Sequence, residues 1–319
     1  MPGDDKFISA STPIALFVYN RPDHTRRLLK SLVKCERFDT CPIYIFSDGS
    51  KNESQQDKVQ AVRNIIHDFA EKNNAKVIEA SENLGLNSSI IKGISQVCEE
   101  HGRIIVFEDD LVLHPRTLDF MIQALDRYEN DTRVGHVSGF SFPIQHDLQV
   151  DAVLLPLFNS WGWGTWARSW KDFEWSPEKA LQDMRKDANL RRRMYPYFDM
   201  FMHFYQKNEM VWDLLWHWKL QSLNRVGVFP SASLIWCSGF DETATHTTSV
   251  PKTGYQTPYE QVMAVKLSET ISFPGQISAD PRTVWALRRF LHSMYVHPIR
   301  RFYRRMRDTI KAILKGWLR

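Results

Sequence analysis

The sequence predicts an α/β protein: an open, mixed but mostly parallel sheet with helices on both faces. Two observations in the first 110 residues predict it. Short apolar runs rich in Ile, Val and aromatic residues alternate with longer segments of helical period, which is the βαβ pattern. The runs are apolar throughout instead of alternating apolar with polar, as strands covered on both faces must be. At 319 residues the chain can bury a full core, and one large domain with an appendage fits that length.

Residues 1–12 are polar and expected to be loose. Pro13 to Tyr19 is the first strand. It ends in Asn20-Arg21-Pro22-Asp23, where Asp23 is placed to cap a helix whose Leu28, Leu29, Leu32 and Val33 form one apolar face. A strand, a short loop and a helix N-terminus together suit anionic ligands, so Arg21 faces either a phosphate or plain solvent. Pro42 to Ser47 is the second strand, closed by Asp48-Gly49-Ser50. Asp48 either shapes that turn or accepts hydrogen bonds from a ligand at the strand's carboxyl end. A polar helix with Val59, Val62, Ile65, Ile66 and Phe69 inward follows, then a short strand from Ala75 to Glu79. Asn83-Leu84-Gly85-Leu86-Asn87 turns into a helix through Ile90, Ile91, Ile94 and Val97.

Arg103-Ile104-Ile105-Val106-Phe107 is the central strand, and Glu108-Asp109-Asp110 stands at its carboxyl end. Like charges held close repel and resist burial, and a hard divalent cation, Mn²⁺ or Mg²⁺, relieves both problems through oxygen ligands. The plainer alternative is an acidic loop before a helix opened at Pro115. The first strand is followed by no Gly-x-Gly-x-x-Gly, and no Walker lysine loop occurs, which disfavours dinucleotide oxidoreductases and P-loop NTPases.

The second half is aromatic. Leu118 to Tyr128 reads as a helix and Val134 to Phe140 as a strand. Ser160-Trp161-Gly162-Trp163-Gly164-Thr165-Trp166 is too Gly-rich for a helix interior and too Trp-rich for a plain loop. Its tryptophans serve either as core or as faces for sugar rings, with the glycines allowing close approach of a ligand. Residues 176–208 read as amphipathic helix. Val211-Trp212-Asp213-Leu214-Leu215-Trp216-His217-Trp218 opens an aromatic helix. Desolvation there would raise the Asp213 pKa towards that of a general base, the alternative being a helix cap. Val226 to Pro230 and Ser233 to Cys237 are short apolar pieces, and a polar loop with Thr245 and His246 follows.

Cys35, Cys41, Cys98 and Cys237 have neither zinc spacing nor a disulfide framework, no secretory signal is visible, and no run approaches a membrane span. A cytoplasmic protein is expected. The net charge of +4 is unevenly spread. Residues 282–319 hold 11 of the 41 Lys/Arg and 1 of the 37 Asp/Glu, leaving 30 against 36 in the body. This points to a basic appendage on an acidic body, with no nucleic-acid readout module. The appendage reads as two helical stretches, 282–296 and 299–318, broken at Pro298. In the second, Phe302, Met306, Ile310, Ile313, Leu314 and Trp317 face one way and arginines the other. That pattern suits the anionic inner face of a cell membrane, or packing on protein.

Arg21 after the first strand, Asp48 after the second, Glu-Asp-Asp-Leu, Gly-Trp, Trp-Asp and a late Thr-His, in that order, resemble the GT-A glycosyltransferases over roughly residues 12–250. The likeness is nearest to the N-acetylglucosaminyltransferases of N-glycan and O-mannose synthesis and to similar bacterial sugar transferases. It implies a GT-A, Rossmann-like domain over 13–280, with a donor half (13–115) and an acceptor half (116–280). It implies inverting transfer from a UDP-sugar, such as UDP-GlcNAc, to a glycan or lipid-linked saccharide. By the resemblance Asp110 and His246 would bind the metal. Arg21, Asp48, Asn87, Glu108, Asp109 and Thr245 would bind the donor, Asp213 would be the catalytic base, and Trp161, Trp163 and Trp166 would wall the acceptor. Unlike the animal enzymes, the chain has no luminal stem or N-terminal anchor. A sugar nucleotidyltransferase and a non-catalytic sugar-binding scaffold are the alternatives. The former usually carries a Gly-rich basic loop where this chain has Asn20-Arg21-Pro22-Asp23.

Overall fold

A computed structural model describes residues 11–145, 149–239 and 254–295. In the first half, β1 (Ile14–Val18), α1 (Pro22–Leu32), β2 (Ile43–Ser47), α2 (Glu53–Asn73), β3 (Lys76–Glu79), α3 (Leu86–His101) and β4 (Arg103–Glu108) alternate as the sequence predicts. β1 pairs in parallel with both β2 and β4, and β2 with β3. All of β1 is buried, and β4 is buried up to Phe107. Alternate residues of these strands enter separate clusters on the two faces of the sheet. Leu16, Ile45, Ile105 and Phe107 meet α1 and α2, while Ala15, Phe17, Ile104 and Val106 meet α3. Val33 departs from its expected place on the inner face of α1: it follows the helix and is exposed.

Beyond β4 the chain runs β5 (Leu111–Leu113), α4 (Thr117–Arg127), β6 (Val134–Ser138), β7 (Ala152–Leu155), β8 (Trp163–Trp166) and the single turn α5 (Ala167–Trp170). Then come α6 (Pro177–Lys186), α7 (Ala188–Arg193), α8 (Tyr197–Lys207), α9 (Trp212–Ser222), β9 (Val226–Pro230), β10 (Ile235–Cys237), α10 (Tyr259–Met263) and α11 (Pro281–Tyr295). Among the described residues the main sheet has the order β3-β2-β1-β4-β8-β6-β9-β7. β8 runs antiparallel to β4 and β6, and β7 antiparallel to β9, so the sheet is mixed but mostly parallel. β5 and β10 form a separate antiparallel pair beside the end of β4.

Two segments differ from expectation. The helical stretch 176–208 is three helices, because the Asp187 carboxylate caps α7 through the Asn189 N–H and Pro196 separates α7 from α8. The Trp-Gly segment is a central strand, and its glycines admit neighbouring protein. A Cβ on Gly164 would lie 2.8 Å from the Ile104 carbonyl oxygen, and one on Gly162 would meet Ile235 and Phe107.

Gly164→Ala is therefore expected to force β8 away from β4 and to destabilise the fold by about 1–3 kcal/mol. A chemical-denaturation midpoint equal to that of the parent would contradict this close packing.

Candidate active site

β4 delivers its carboxylates from a fully buried strand into a half-buried place. Asp109 accepts a hydrogen bond from the backbone N–H of Tyr19, at the end of β1. Asp110 lies 3.5 Å from the Arg21 guanidinium, which stands at the start of α1. The β5–β10 pair brings Ser238 onto the turn, where its N–H and hydroxyl both donate to the Asp110 carbonyl. Gly239 follows so closely that a Cβ there would sit 2.2 Å from the Asp110 carboxylate. Burial raises the Glu108 pKa well above the usual range, helped by the charges of Asp110, Asp213 and Asp109 and opposed by Arg21. Burial and then Asp110 raise Asp109 to about 7, opposed by Arg21 and the Tyr19 N–H. The donor set is all oxygen, the kind of ligand a hard divalent cation takes. Among the described residues no three Asp, Glu, His or Cys side chains close on one point.

Asp48 takes the turn-shaping alternative and reaches a second loop as well, while Asn87 meets distant backbone. Asp48 Oδ1 accepts from the N–H groups of Gly49 (2.9 Å) and Leu84 (2.8 Å), and Oδ2 from the Gly85 N–H (2.9 Å) and Asn83 Nδ2 (3.1 Å). Four bonds fill the acceptor capacity of a carboxylate. Asp48 therefore holds the 83–85 loop, and a direct bond to a nucleotide base would need one of these to break. Gly85, at φ 75°, makes the turn into α3 that this loop requires. The Asn87 carboxamide meets backbone on both sides: Nδ2 donates to the Met210 carbonyl (3.0 Å) and Oδ1 accepts from the Trp212 N–H (3.0 Å). These two bonds give Asn87 a role within the fold beside the donor contact expected of it.

Asp213 lies in the first turn of α9, where its carboxylate accepts from the Leu214 N–H (2.8 Å). Eight of the eleven residues of α9 are buried, Trp212, Trp216 and Trp218 among them. Burial raises the Asp213 pKa to about 6, against the lowering by the helix N–H groups. Desolvation therefore outweighs the helix terminus.

Two of the three tryptophans are core. Trp163 is fully buried and stacks on Trp212, with centroids 5.5 Å apart, while Trp166 is 2% exposed and its indole N–H donates to the Leu125 carbonyl. These two belong to opposite faces of the sheet, since positions 163 and 166 point opposite ways along β8. Neither can wall an acceptor. Trp161 is partly buried, against Phe140 and Tyr255. Thr245 and His246 lie outside the described residues.

Sequence reasoning missed Asn83, Ser238 and Gly239. The only signal for the last two was a small polar pair before a polar loop. What gives it meaning is the pairing of β10 with β5, across more than a hundred residues.

Comparison with known proteins agrees with this architecture. The model of the family described as Glycosyl transferase family 2 matches residues 14–201, a span that holds Arg21, Asp48, Asn87 and the acidic triplet and stops before Asp213. No curated protein matches the sequence. Among solved structures, the chain is similar to residues 1–349 of TarS from S. aureus, at 14% identity and TM-score 0.44, over 72% of this chain and 61% of that one. A longer TarS structure gives 14% identity and TM-score 0.40, over 71% and 37%. Mannosyltransferase PcManGT from Pyrobaculum calidifontis, solved with GDP-Man and Mn²⁺, gives 11% identity and TM-score 0.33, over 55% and 47%. The chain thus spans less than two thirds of the length of each of these proteins. With more than half of its residues inside the family match, from the first strand of the sheet to α8, the chain belongs to glycosyl transferase family 2.

Proposed function

We propose that the protein is a metal-dependent, inverting glycosyltransferase. It moves a sugar from a nucleoside-diphosphate donor, a UDP-sugar such as UDP-GlcNAc, to a hydroxyl of a glycan or lipid-linked saccharide, in the synthesis of a surface polysaccharide or glycoconjugate. One observation carries this reading: the acidic tip of β4 and the desolvated Asp213 share one electrostatic environment, Asp213 being among the charges that raise Glu108. That coupling supports placing the cation-holding carboxylate and the base at one site.

Asp110 would hold Mn²⁺ or Mg²⁺, with Glu108 and Asp109 on the sugar and ribose and Arg21 on the phosphates. When bound, the cation supplies charge to offset the negative charge that grows on the diphosphate. Asp213, with its pKa near 6, is ionised at neutral pH yet basic enough to take the proton of the acceptor hydroxyl. As that oxygen bonds to the anomeric carbon, the bond from carbon to phosphate oxygen breaks on the opposite face. The nucleoside diphosphate leaves with the electron pair. Trp161, less buried than Trp163 and Trp166, would be the tryptophan of the aromatic segment to meet an acceptor.

The reading extends to a membrane. α11 seats Thr283, Leu287 and Leu291 on the body and turns Arg282, Arg288, Arg289 and Trp285 outward. Trp285 is 62% exposed, and the Arg289 guanidinium lies 5.3 Å over its ring. An aromatic ring among arginines suits an anionic lipid interface. It supports peripheral attachment at the inner face of the cell membrane, with 299–318, which lies outside the described residues, as the second contact.

Asp213→Asn is expected to bind donor normally and to lose transfer by ~10²–10⁴-fold; full turnover would remove Asp213 from the role. The parent's kcat should rise with pH through about 6 and level above it, because only ionised Asp213 accepts a proton. The folded protein holds that proton more tightly than the unfolded chain does. Ionised Asp213 therefore costs stability increasingly as pH climbs from 3.8 to about 6. Above that range Asp213→Asn should be more stable than the parent, by up to about 3 kcal/mol. Asp110→Ala should abolish the Mn²⁺-dependent part of UDP-GlcNAc binding, read by calorimetry with and without the ion. In flotation with phosphatidylglycerol vesicles, reversing Arg282, Arg288 and Arg289 to Glu should lower binding at about 1 kcal/mol or more per residue. Equal flotation by this variant, by a chain ending at residue 295 and by the parent would end the membrane reading.

A further inference from the structure

We infer that Asn87 is a positioning residue for Asp213: it acts as a cap, supplied from the donor half, for the helix that carries the base. The inference rests on the reading of Asp213 just given.

The first N–H groups of a helix have no partner within it and need an outside acceptor. The residue that enters α9 is Val211, whose side chain cannot accept. Asn87, 125 positions earlier in the chain, supplies the acceptor instead, with Oδ1 at 3.0 Å from the Trp212 N–H. Its Nδ2 meanwhile donates to the Met210 carbonyl. One carboxamide thus grips the strap on both sides of Val211. Two bonds fix rotation as well as distance, and the next residue after the grip is Asp213.

Asn87 is itself held. It is the second residue of α3, whose entry through Leu84 and Gly85 is tied by their N–H groups to the two oxygens of Asp48. A chain of direct bonds therefore runs from the carboxyl end of β2, through the 83–85 loop, to the first turn of α9. On its other side Trp212 is locked by its stack on Trp163 and by its edge contact with Phe158. Asp213 thus follows directly on a residue held by a hydrogen-bonded anchor and an aromatic one. Loss of the former would let the carboxylate drift while α9 stays packed. Displacement of a reacting group by about 1 Å can cost ~10²-fold in rate.

The test measures UDP release from UDP-GlcNAc with Mn²⁺ for the full chain, together with UDP binding by calorimetry. Asn87→Ala should lower kcat by ~10–100-fold while KM for the donor and Kd for UDP stay within about twofold. Asn87→Asp keeps an acceptor for the Trp212 N–H and should recover part of the loss. Should the alanine variant not fold, the aspartate variant carries the comparison. Placed on Asp213→Asn, Asn87→Ala should cost nothing further, because a residue that acts only through Asp213 has nothing left to position. Weaker UDP binding at unchanged kcat would make Asn87 a donor contact and overturn the inference, as would losses that multiply in the double variant. An inactive Asp213→Asn beside a fully active Asn87→Ala overturns this inference alone. A fully active Asp213→Asn overturns the base assignment and this inference with it.

Discussion

Glu108, Asp109 and Asp110 follow five buried residues without a break, so their charges emerge where water is scarce and each lies within reach of the others. Repulsion and desolvation act in the same direction on them, and the raised pKa values of Glu108 and Asp109 are the result. Arg21 at 3.5 Å from Asp110 offsets part of the charge. The surroundings are arranged to keep this strained group in place. β1 lends the Tyr19 N–H, and the β5–β10 pair lays Ser238 and Gly239 directly on Asp110. A side chain at Gly239 would occupy the space of the carboxylate itself. Carboxylate oxygens crowded in this way are of the kind a hard cation can use.

Asp213 is raised by a different route. It has backbone donors and a helix N-terminus in its favour, both of which stabilise the anion. Burial beside Trp212, in a helix enclosed on nearly every side, overrides them. The enclosure also makes α9 a stiff carrier, because its tryptophans interlock with Trp163, Trp170 and Phe173. A carboxylate with pKa near 6 on a rigid element is charged at neutral pH and cannot easily turn away.

The aromatic wealth of the second half is chiefly architectural. β8 must run between two strands, and its tryptophans fill both faces of the sheet where helices cover it. Gly162 and Gly164 are needed because Ile235, Phe107 and the Ile104 carbonyl take the space that side chains would need. Tryptophan and glycine in alternation therefore mark a tightly covered strand here, with Trp161, beside Phe140 and Tyr255, less buried than Trp163 and Trp166.

Sequence alone determined the parallel half of the sheet, because strands buried on both faces must be apolar throughout and their crossover helices must repeat every three to four residues. It also determined the acidic triplet and the raised Asp213, since adjacency of like charges and of tryptophans is local information. Tertiary structure decided the rest. The saturation of Asp48 by the 83–85 loop, the grip of Asn87 on residues 210 and 212, and the seating of Gly239 on Asp110 are contacts between distant segments. A side chain that can bind a ligand can equally bind backbone. Which it does depends on whether folding brings an unpaired N–H or carbonyl to it first, and no local pattern records that.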